Sequence, residues 1–177
     1  LASTMMTLNR SRLSDFDFIA HSMGNFLTME AARTLALSGN FQKASRMQTV
    51  VLAAPDIDLD LFGTQIASLP EEVRSMFVVL ISRDDKALRL SQKIAGDQPR
   101  VGAADAAALS NLGLTVIDLT DIEDKSSINH LKFAASPEIV QLLGKRLAAG
   151  DDLSTDQSTA GVAIQKLGSV VEVVGLN

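Results

Sequence analysis

The sequence DFDFIAHSMGNFLTMEAARTLALSG, residues 15–39, decides the fold that we predict for this chain. A short apolar run at residues 16–20 leads directly into His-Ser-Met-Gly at 21–24, and a helical pattern follows at once. In this order of strand, tight turn and helix, the serine of a G-x-S-x-G motif becomes a nucleophile, because the strained turn presents its hydroxyl at the top of a sheet. Ala20 replaces the first glycine of the motif, and its small side chain still permits close approach of strand and helix. The stretch therefore predicts Ser22 as a nucleophile.

Strand and helix patterns alternate along the rest of the chain. Further strands are predicted at residues 48–54, 76–81 and 114–119, and helices at 25–38, 86–95 and 137–148, with the end of a helix within 1–14. The runs VVLAA and MFVVLI are apolar without alternation, which indicates strands covered on both faces of a parallel sheet. The fourth strand is less uniformly apolar, so we expect it nearer an edge. The pattern predicts an α/β fold with a mostly parallel, doubly wound sheet and flanking helices.

Length and composition indicate one ordinary domain with a substantial core, since the 177 residues are 46% hydrophobic. We predict that this domain covers residues 1–149 and that 150–177 form a polar linker and a marginal tail. The net charge is −5 and no Lys/Arg cluster is present, so nucleic acid is not an expected partner. No apolar run is long enough to form a transmembrane segment. The absence of cysteine excludes disulfides and thiolate chemistry.

Two histidines are available to serve as the base that a serine nucleophile requires. His21 is adjacent to Ser22 on a tight turn, so its side chain points elsewhere and more plausibly borders the site as a weak substrate contact. His130 follows the last predicted strand and is the preferred base. The predicted site therefore pairs Ser22 with His130.

The acid that orients the base should follow a strand between the nucleophile and the histidine. Asp84 and Asp85 both meet this condition, and the residues alone choose poorly between them; one of the two is expected to cap the helix that begins near Lys86. Four other acids are less natural because they lie so close in sequence to the histidine: Asp118, Asp121, Glu123 and Asp124.

The spaced acids Asp56, Asp58 and Asp60 resemble a set of metal ligands. They lack the glycine and the distal glutamate of a calcium loop, so we expect cap and surface residues. We therefore predict no metal site, and the proposed chemistry requires no cofactor.

Four blocks of sequence, FIAHSMGN, VVLAAPDIDLDLF, VVLISRDDKALRLS and INHLKFAASPEIVQLL, lie between residues 15 and 143. In these blocks the chain resembles the C-terminal half of an α/β-hydrolase, and more narrowly a bacterial family in the esterase/lipase superfamily whose members are α/β hydrolases of unknown function. In that family the acid directly precedes a basic-Ala-Leu sequence, which favours Asp85 over Asp84. The resemblance also implies Ser22 as nucleophile, His130 as base and the Met23 backbone N–H as one oxyanion donor.

Members of that family carry further strands and a His-Gly loop ahead of the nucleophile strand. The resemblance therefore implies a truncated chain that is poorly soluble or inactive when expressed alone, and a compartment, cytoplasm or cell envelope, that depends on the preceding sequence. The expected activity is hydrolysis of a small-molecule carboxylic ester through an acyl-enzyme. Thioester, amide or acyl-transfer chemistry would use the same triad, and a non-catalytic binding or scaffolding domain is the alternative from another class. The sequence leaves the oligomeric state open.

Overall fold

A computed structural model describes residues 1–41, 46–122, 128–135, 140, 144, 162–167 and 170–175. The strands are β1 (Phe16–His21), β2 (Met47–Ala53), β3 (Phe77–Ile81), β4 (Thr115–Asp118), β5 (Val162–Leu167) and β6 (Val170–Gly175). The α-helices are α1 (Ala2–Asn9), α2 (Gly24–Leu37), α3 (Leu59–Ala67), α4 (Glu71–Arg74), α5 (Lys86–Ile94), α6 (Ala106–Ser110) and α7 (Lys132–Ala135), and a 3₁₀ helix covers Val101–Ala103.

The six strands form one sheet in the order β1-β2-β3-β4-β6-β5. Strands β1 to β4 are all parallel, β6 pairs with β4 in parallel, and of these six strands only β5 runs antiparallel to its neighbour. Parallel neighbours require crossover connections, and the helices between successive strands supply them. The predicted α/β class, with a mostly parallel sheet and flanking helices, is confirmed.

The expectation that the fourth strand lies nearer an edge is wrong. β6 pairs along its outer side, with Val116 opposite Val170, and three of the four β4 residues are buried. The prediction was based on the polar end of this strand. Asp118, its last residue, does not face water: its carboxylate is buried and lies 3.2 Å from the Arg83 side chain. β5 and β6 both come from the region predicted to be a linker and tail.

The core has two parts, one on each face of the sheet. The larger part includes the fully buried residues Phe62 and Phe77 and lies under α1 to α4 and α6. The smaller part contains Val51, Leu80 and neighbouring strand residues and is covered by residues that include Phe133 of α7. The strands are therefore apolar on both sides, which is why β2 and β3 lack alternation.

The helix predicted at 137–148 and the linker before β5 lie outside the described residues, except for 140 and 144. The short helix α7 begins at Lys132, between the fourth predicted strand and the helix predicted at 137–148. The chain between β2 and β3 forms α3 and α4. Because β1 to β4 are parallel, their carboxyl ends meet at one edge of the sheet, where a ligand site is expected.

Candidate active site

Ser22 directly follows β1 and has a φ of 54°, in the left-handed region that non-glycine residues seldom adopt. Its N–H donates to the Ala53 carbonyl at 3.1 Å, and its carbonyl accepts from the N–H of Asn25 at 3.1 Å and of Asp56 at 3.3 Å. A backbone conformation of this kind costs on the order of 1–3 kcal/mol and persists only where the surroundings hold it. The turn between strand and helix therefore has the strained geometry that presents a serine hydroxyl.

The Asn25 side chain holds this turn, a role that sequence reasoning missed. It is fully buried, and its Nδ2 donates to the carbonyls of Ser22 at 2.9 Å and Ala53 at 2.8 Å. The amide thus ties the end of β1 to the end of β2. The asparagine at the end of the FIAHSMGN block was the available signal.

Met23 is the N-cap residue of α2. Among the described residues its N–H has no backbone acceptor, as is usual for amides at the start of a helix. Such N–H groups, at the positive end of the helix dipole, favour an anion. The position fits the predicted oxyanion donor.

His130 and Asp85 meet across the carboxyl ends of the sheet. The His130 Nδ1 lies 2.7 Å from the Asp85 Oδ2, and the Asp85 side chain is fully buried whereas 13% of the His130 side chain is exposed. A carboxylate only accepts, so Nδ1 donates, and Nε2 of a neutral ring is left to accept a proton. The other oxygen, Oδ1, caps α5 by accepting from the Leu88 N–H at 3.0 Å.

Asp84 has partners other than His130. Its carboxylate accepts from the Ser82 hydroxyl at 2.5 Å, from the Asn129 Nδ2 at 2.7 Å and from the Lys132 ammonium at 2.8 and 2.9 Å. Partial burial alone would raise the pKa of Asp84, but hydrogen bonds from Lys132 and Ser82 and the lysine charge outweigh it and hold the pKa below its ordinary value of 3.8. Of the two adjacent acids, Asp85 is the one that contacts the histidine.

His21 connects the Ser22 turn to the His130 segment. Its Nε2 donates to the His130 carbonyl at 3.1 Å, which places the proton on that nitrogen because a carbonyl only accepts. The two imidazole rings have centroids 4.7 Å apart, and the Phe133 ring lies 5.2 Å from that of His21. The His21 side chain, predicted as a weak substrate contact, is therefore hydrogen-bonded to the His130 backbone.

The structure does not bring every predicted residue into contact. Among the described residues, the Ser22 hydroxyl has no hydrogen-bond partner, and the turn contacts His130 through His21. In free enzymes the bond between nucleophile and base is often long and tightens only when substrate binds.

The acids that were less favoured as partners of His130 have other surroundings or lie outside the described residues. Asp118 is paired with Arg83, whereas Glu123 and Asp124 lie outside the described residues. Asp58 caps α3 by accepting from the Leu61 N–H at 2.9 Å.

Asp56 accepts from the Ser91 hydroxyl and faces Arg100, and Asp60 lies in the first turn of α3. Over the described ranges no group of three or more acids and histidines could hold a metal ion.

A small pocket lies at this edge of the sheet beside the histidine and its acid, and Ser22 is not among its lining residues. Apolar and polar side chains share the lining: Ala54, Leu80, Ile81, Leu119 and Phe133 with Ser82, Asp85, Asn129, His130 and Lys132. Binding pockets commonly combine apolar walls with a few polar groups in this way.

The parallel sheet, the strained serine turn at its carboxyl edge and the histidine-acid pair define the α/β hydrolase class. A model of the family described as "Alpha/beta hydrolase of unknown function (DUF900)" matches residues 1–146. The chain belongs to this family, and the resemblance inferred from the four sequence blocks is confirmed. Neither a curated protein nor a solved structure matched. Within the described part of the chain, every helix is too short or too polar to cross a bilayer.

Proposed function

We propose that this α/β hydrolase is a serine hydrolase that cleaves carboxylic esters through an acyl-enzyme. The observation that carries the proposal is the 2.7 Å contact between His130 and the buried Asp85, at the edge where the strained turn presents Ser22. A base with its proton held on Nδ1 by an acid is the arrangement that serine nucleophiles require.

In the proposed reaction the Ser22 oxygen attacks the ester carbonyl while the His130 Nε2 takes the hydroxyl proton. The Met23 N–H donates to the oxygen that becomes negative. Collapse of the tetrahedral intermediate breaks the bond to the leaving alkoxide, which receives the proton from His130. Water then attacks the acyl-enzyme with His130 again as base, and the acid product and free Ser22 are released.

Two features support this assignment beyond the residue types. Asp85 is fully buried and therefore keeps its carboxylate away from competing water, while its second oxygen is fixed by the cap of α5. The His21 bond fixes the backbone of His130 from the opposite side. His130 is thus held at both its ring and its backbone, which favours a preorganised base.

A fluorophosphonate probe tests the proposal, because it reacts with an activated serine and remains attached. We expect labelling of the full-length protein at Ser22, located by mass spectrometry, and none for Ser22→Ala. Ser75→Ala is the matched control, since this exposed serine follows α4 at the amino end of β3, the opposite edge of the sheet. Labelling that survives Ser22→Ala would refute the assignment.

A non-catalytic binding or scaffolding domain is the second candidate, and the missing hydrogen bond of the Ser22 hydroxyl among the described residues favours it. This candidate predicts that wild-type protein is not labelled. A panel of nitrophenyl ester, thioester and anilide substrates would separate ester hydrolysis from related chemistries that use the same triad.

A further inference from the structure

Lys132 is buried at the carboxyl edge of the sheet, two residues after His130. Only 3% of its side chain is exposed, which is rare for a lysine unless its charge is paired. The ammonium donates to both oxygens of Asp84, at 2.8 and 2.9 Å, and to the carbonyls of Leu119 at 3.2 Å and Thr120 at 2.7 Å. The lysine therefore joins α7 to the segments that follow β3 and β4.

Asp84 joins the same segment a second time, on the other side of His130. It accepts from the Asn129 Nδ2 at 2.7 Å, and Asn129 itself has a φ of 58°. One residue further back, the Ile128 carbonyl accepts from the Lys86 N–H at 3.0 Å. The segment is thus attached to the start of α5 on one side of the histidine and through Lys132 on the other.

We propose that the Asp84–Lys132 pair is a latch that holds the His130 segment so that the imidazole stays on Asp85. The inference rests on the proposed function for its catalytic meaning. It makes both members positioning residues, since their hydrogen bonds among the described residues go to groups other than the His130 ring. Only the lysine end of the pair is buried, since 37% of the Asp84 side chain is exposed. Burial of a charge in an ion pair seldom adds stability over apolar residues, and its best attested role is to select one arrangement. Here the arrangement is the docking of one segment on the ends of two strands.

The latch also separates the charges of two adjacent carboxylates. Asp84 and Asp85 follow the same strand, and each meets its own cation or proton donor: Lys132 for Asp84, His130 for Asp85. The lysine thus gives Asp84 a charged partner other than His130.

The double variant Asp84→Asn/Lys132→Met tests the latch, because removing both charges together avoids the uncompensated buried charge that a single replacement leaves. The amide introduced at position 84 would keep polar groups for Ser82 and Asn129, so the chain should fold. The control is Glu30→Gln/Arg33→Met, which removes the charges of an ion pair on α2 that, among the described residues, shares no partner with Asp84, Lys132 or residues 128–132.

Two measurements read out the position of the segment. Hydrogen exchange at the Lys86 amide, whose acceptor is the Ile128 carbonyl, should be faster in the double variant and unchanged in the control. The rate constant of fluorophosphonate labelling should fall by about 10- to 100-fold, as expected for a misplaced catalytic group. With an ester substrate the loss should appear in kcat and leave KM unchanged. A far-ultraviolet circular dichroism spectrum equal to that of the wild type would show that the lower kcat does not come from a loss of folded protein.

Exchange at Lys86 equal to that of the wild type in the double variant would overturn the latch, as would labelling at the wild-type rate. A full-length protein that the probe does not label would refute the proposed function instead, and the exchange measurement would still decide whether the pair holds the segment. The two failures are therefore distinguishable.

Discussion

Replacement of Asp85 separates its two structural roles, because its carboxylate oxygens bond to different partners. Oδ1 caps α5 through the Leu88 N–H, and Oδ2 accepts from the His130 Nδ1. Asp85→Asn can keep the cap, since asparagine caps as well as aspartate. Its amide nitrogen would then face Nδ1 and force the ring proton onto Nε2, the wrong tautomer for a base. Asp85→Ala removes both interactions.

The magnitudes follow from these contacts. Loss of a capping side chain costs about 1 kcal/mol, and a buried donor left without its acceptor costs about 1–3 kcal/mol. Asp85→Ala should therefore lower the free energy of unfolding by about 2–4 kcal/mol. Asp85→Asn should lower it by no more than about 1 kcal/mol, yet reduce probe labelling by about 10⁴-fold, the size of effect seen when a triad acid becomes an amide.

Asp58 is the matched control, because it caps α3 in the same way and contacts neither His130 nor Ser22 among the described residues. Asp58→Ala should cost the capping term alone, about 1 kcal/mol. Urea unfolding followed by circular dichroism compares the two alanine variants, and the labelling rate compares Asp85→Asn with Asp58→Asn. Equal destabilisation by both alanine substitutions would refute the reasoning, since the His130 contact would then contribute nothing.

Three further predictions concern the frame of the site. Gly102→Ala should lower the free energy of unfolding by about 1–3 kcal/mol, because its Cβ would lie 2.7 Å from backbone atoms after β2, whereas Gly63→Ala, with nothing within 4 Å, should not; thermal melts compare them. Ile19→Lys should reduce aggregation, measured by light scattering, because the Ile19 side chain is 54% exposed on β1 and no described strand pairs with the outer side of β1. Unchanged scattering would argue against association through this edge. For Asp84, where hydrogen bonding outweighs the opposing effect of burial, the carboxylate contributes stability above pH 3.8 that is lost as the pH falls through its lowered pKa. The stability difference between wild type and Asp84→Asn should therefore shrink in acid unfolding curves below that pH, and a constant difference would contradict the pKa shift.

The elements around the nucleophile could be predicted from the sequence because their signals are local. Uniformly apolar runs indicated β2 and β3 to within one residue at each end, since both faces of these strands are covered. The bounds of β4 were predicted to within one residue, but its place in the sheet was predicted wrongly, because the polar residue at its end, Asp118, is buried in an ion pair with Arg83. The pairing of β6 with β4 likewise depends on contacts that no local pattern in VVEVVG reveals.

The contacts within the site were harder to predict than its residue types. Residue patterns could not choose between Asp84 and Asp85, because the direction of adjacent side chains depends on the fold of the loop they face; only the family resemblance favoured Asp85. From the sequence, helix capping and orientation of the base were expected to be separate roles of the two acids. In the structure the Asp85 carboxylate performs both. The sequence does not indicate a role for Lys132, because a lysine near a loop is usually exposed. Its burial depends on partners that are twelve and more residues away in sequence.

The bond from the His21 side chain to the His130 carbonyl joins residues 109 positions apart and spans the edge from β1 to the segment beyond β4. A contact of such high sequence separation forms only after the intervening strands have paired, because the entropy of closing that loop must first be offset. Assembly of the site is therefore a late event in folding. The proposed reactivity of Ser22 would then report on completion of the parallel sheet. Its appearance during refolding would time the docking of the last parallel strands more directly than a spectroscopic signal averaged over the whole chain.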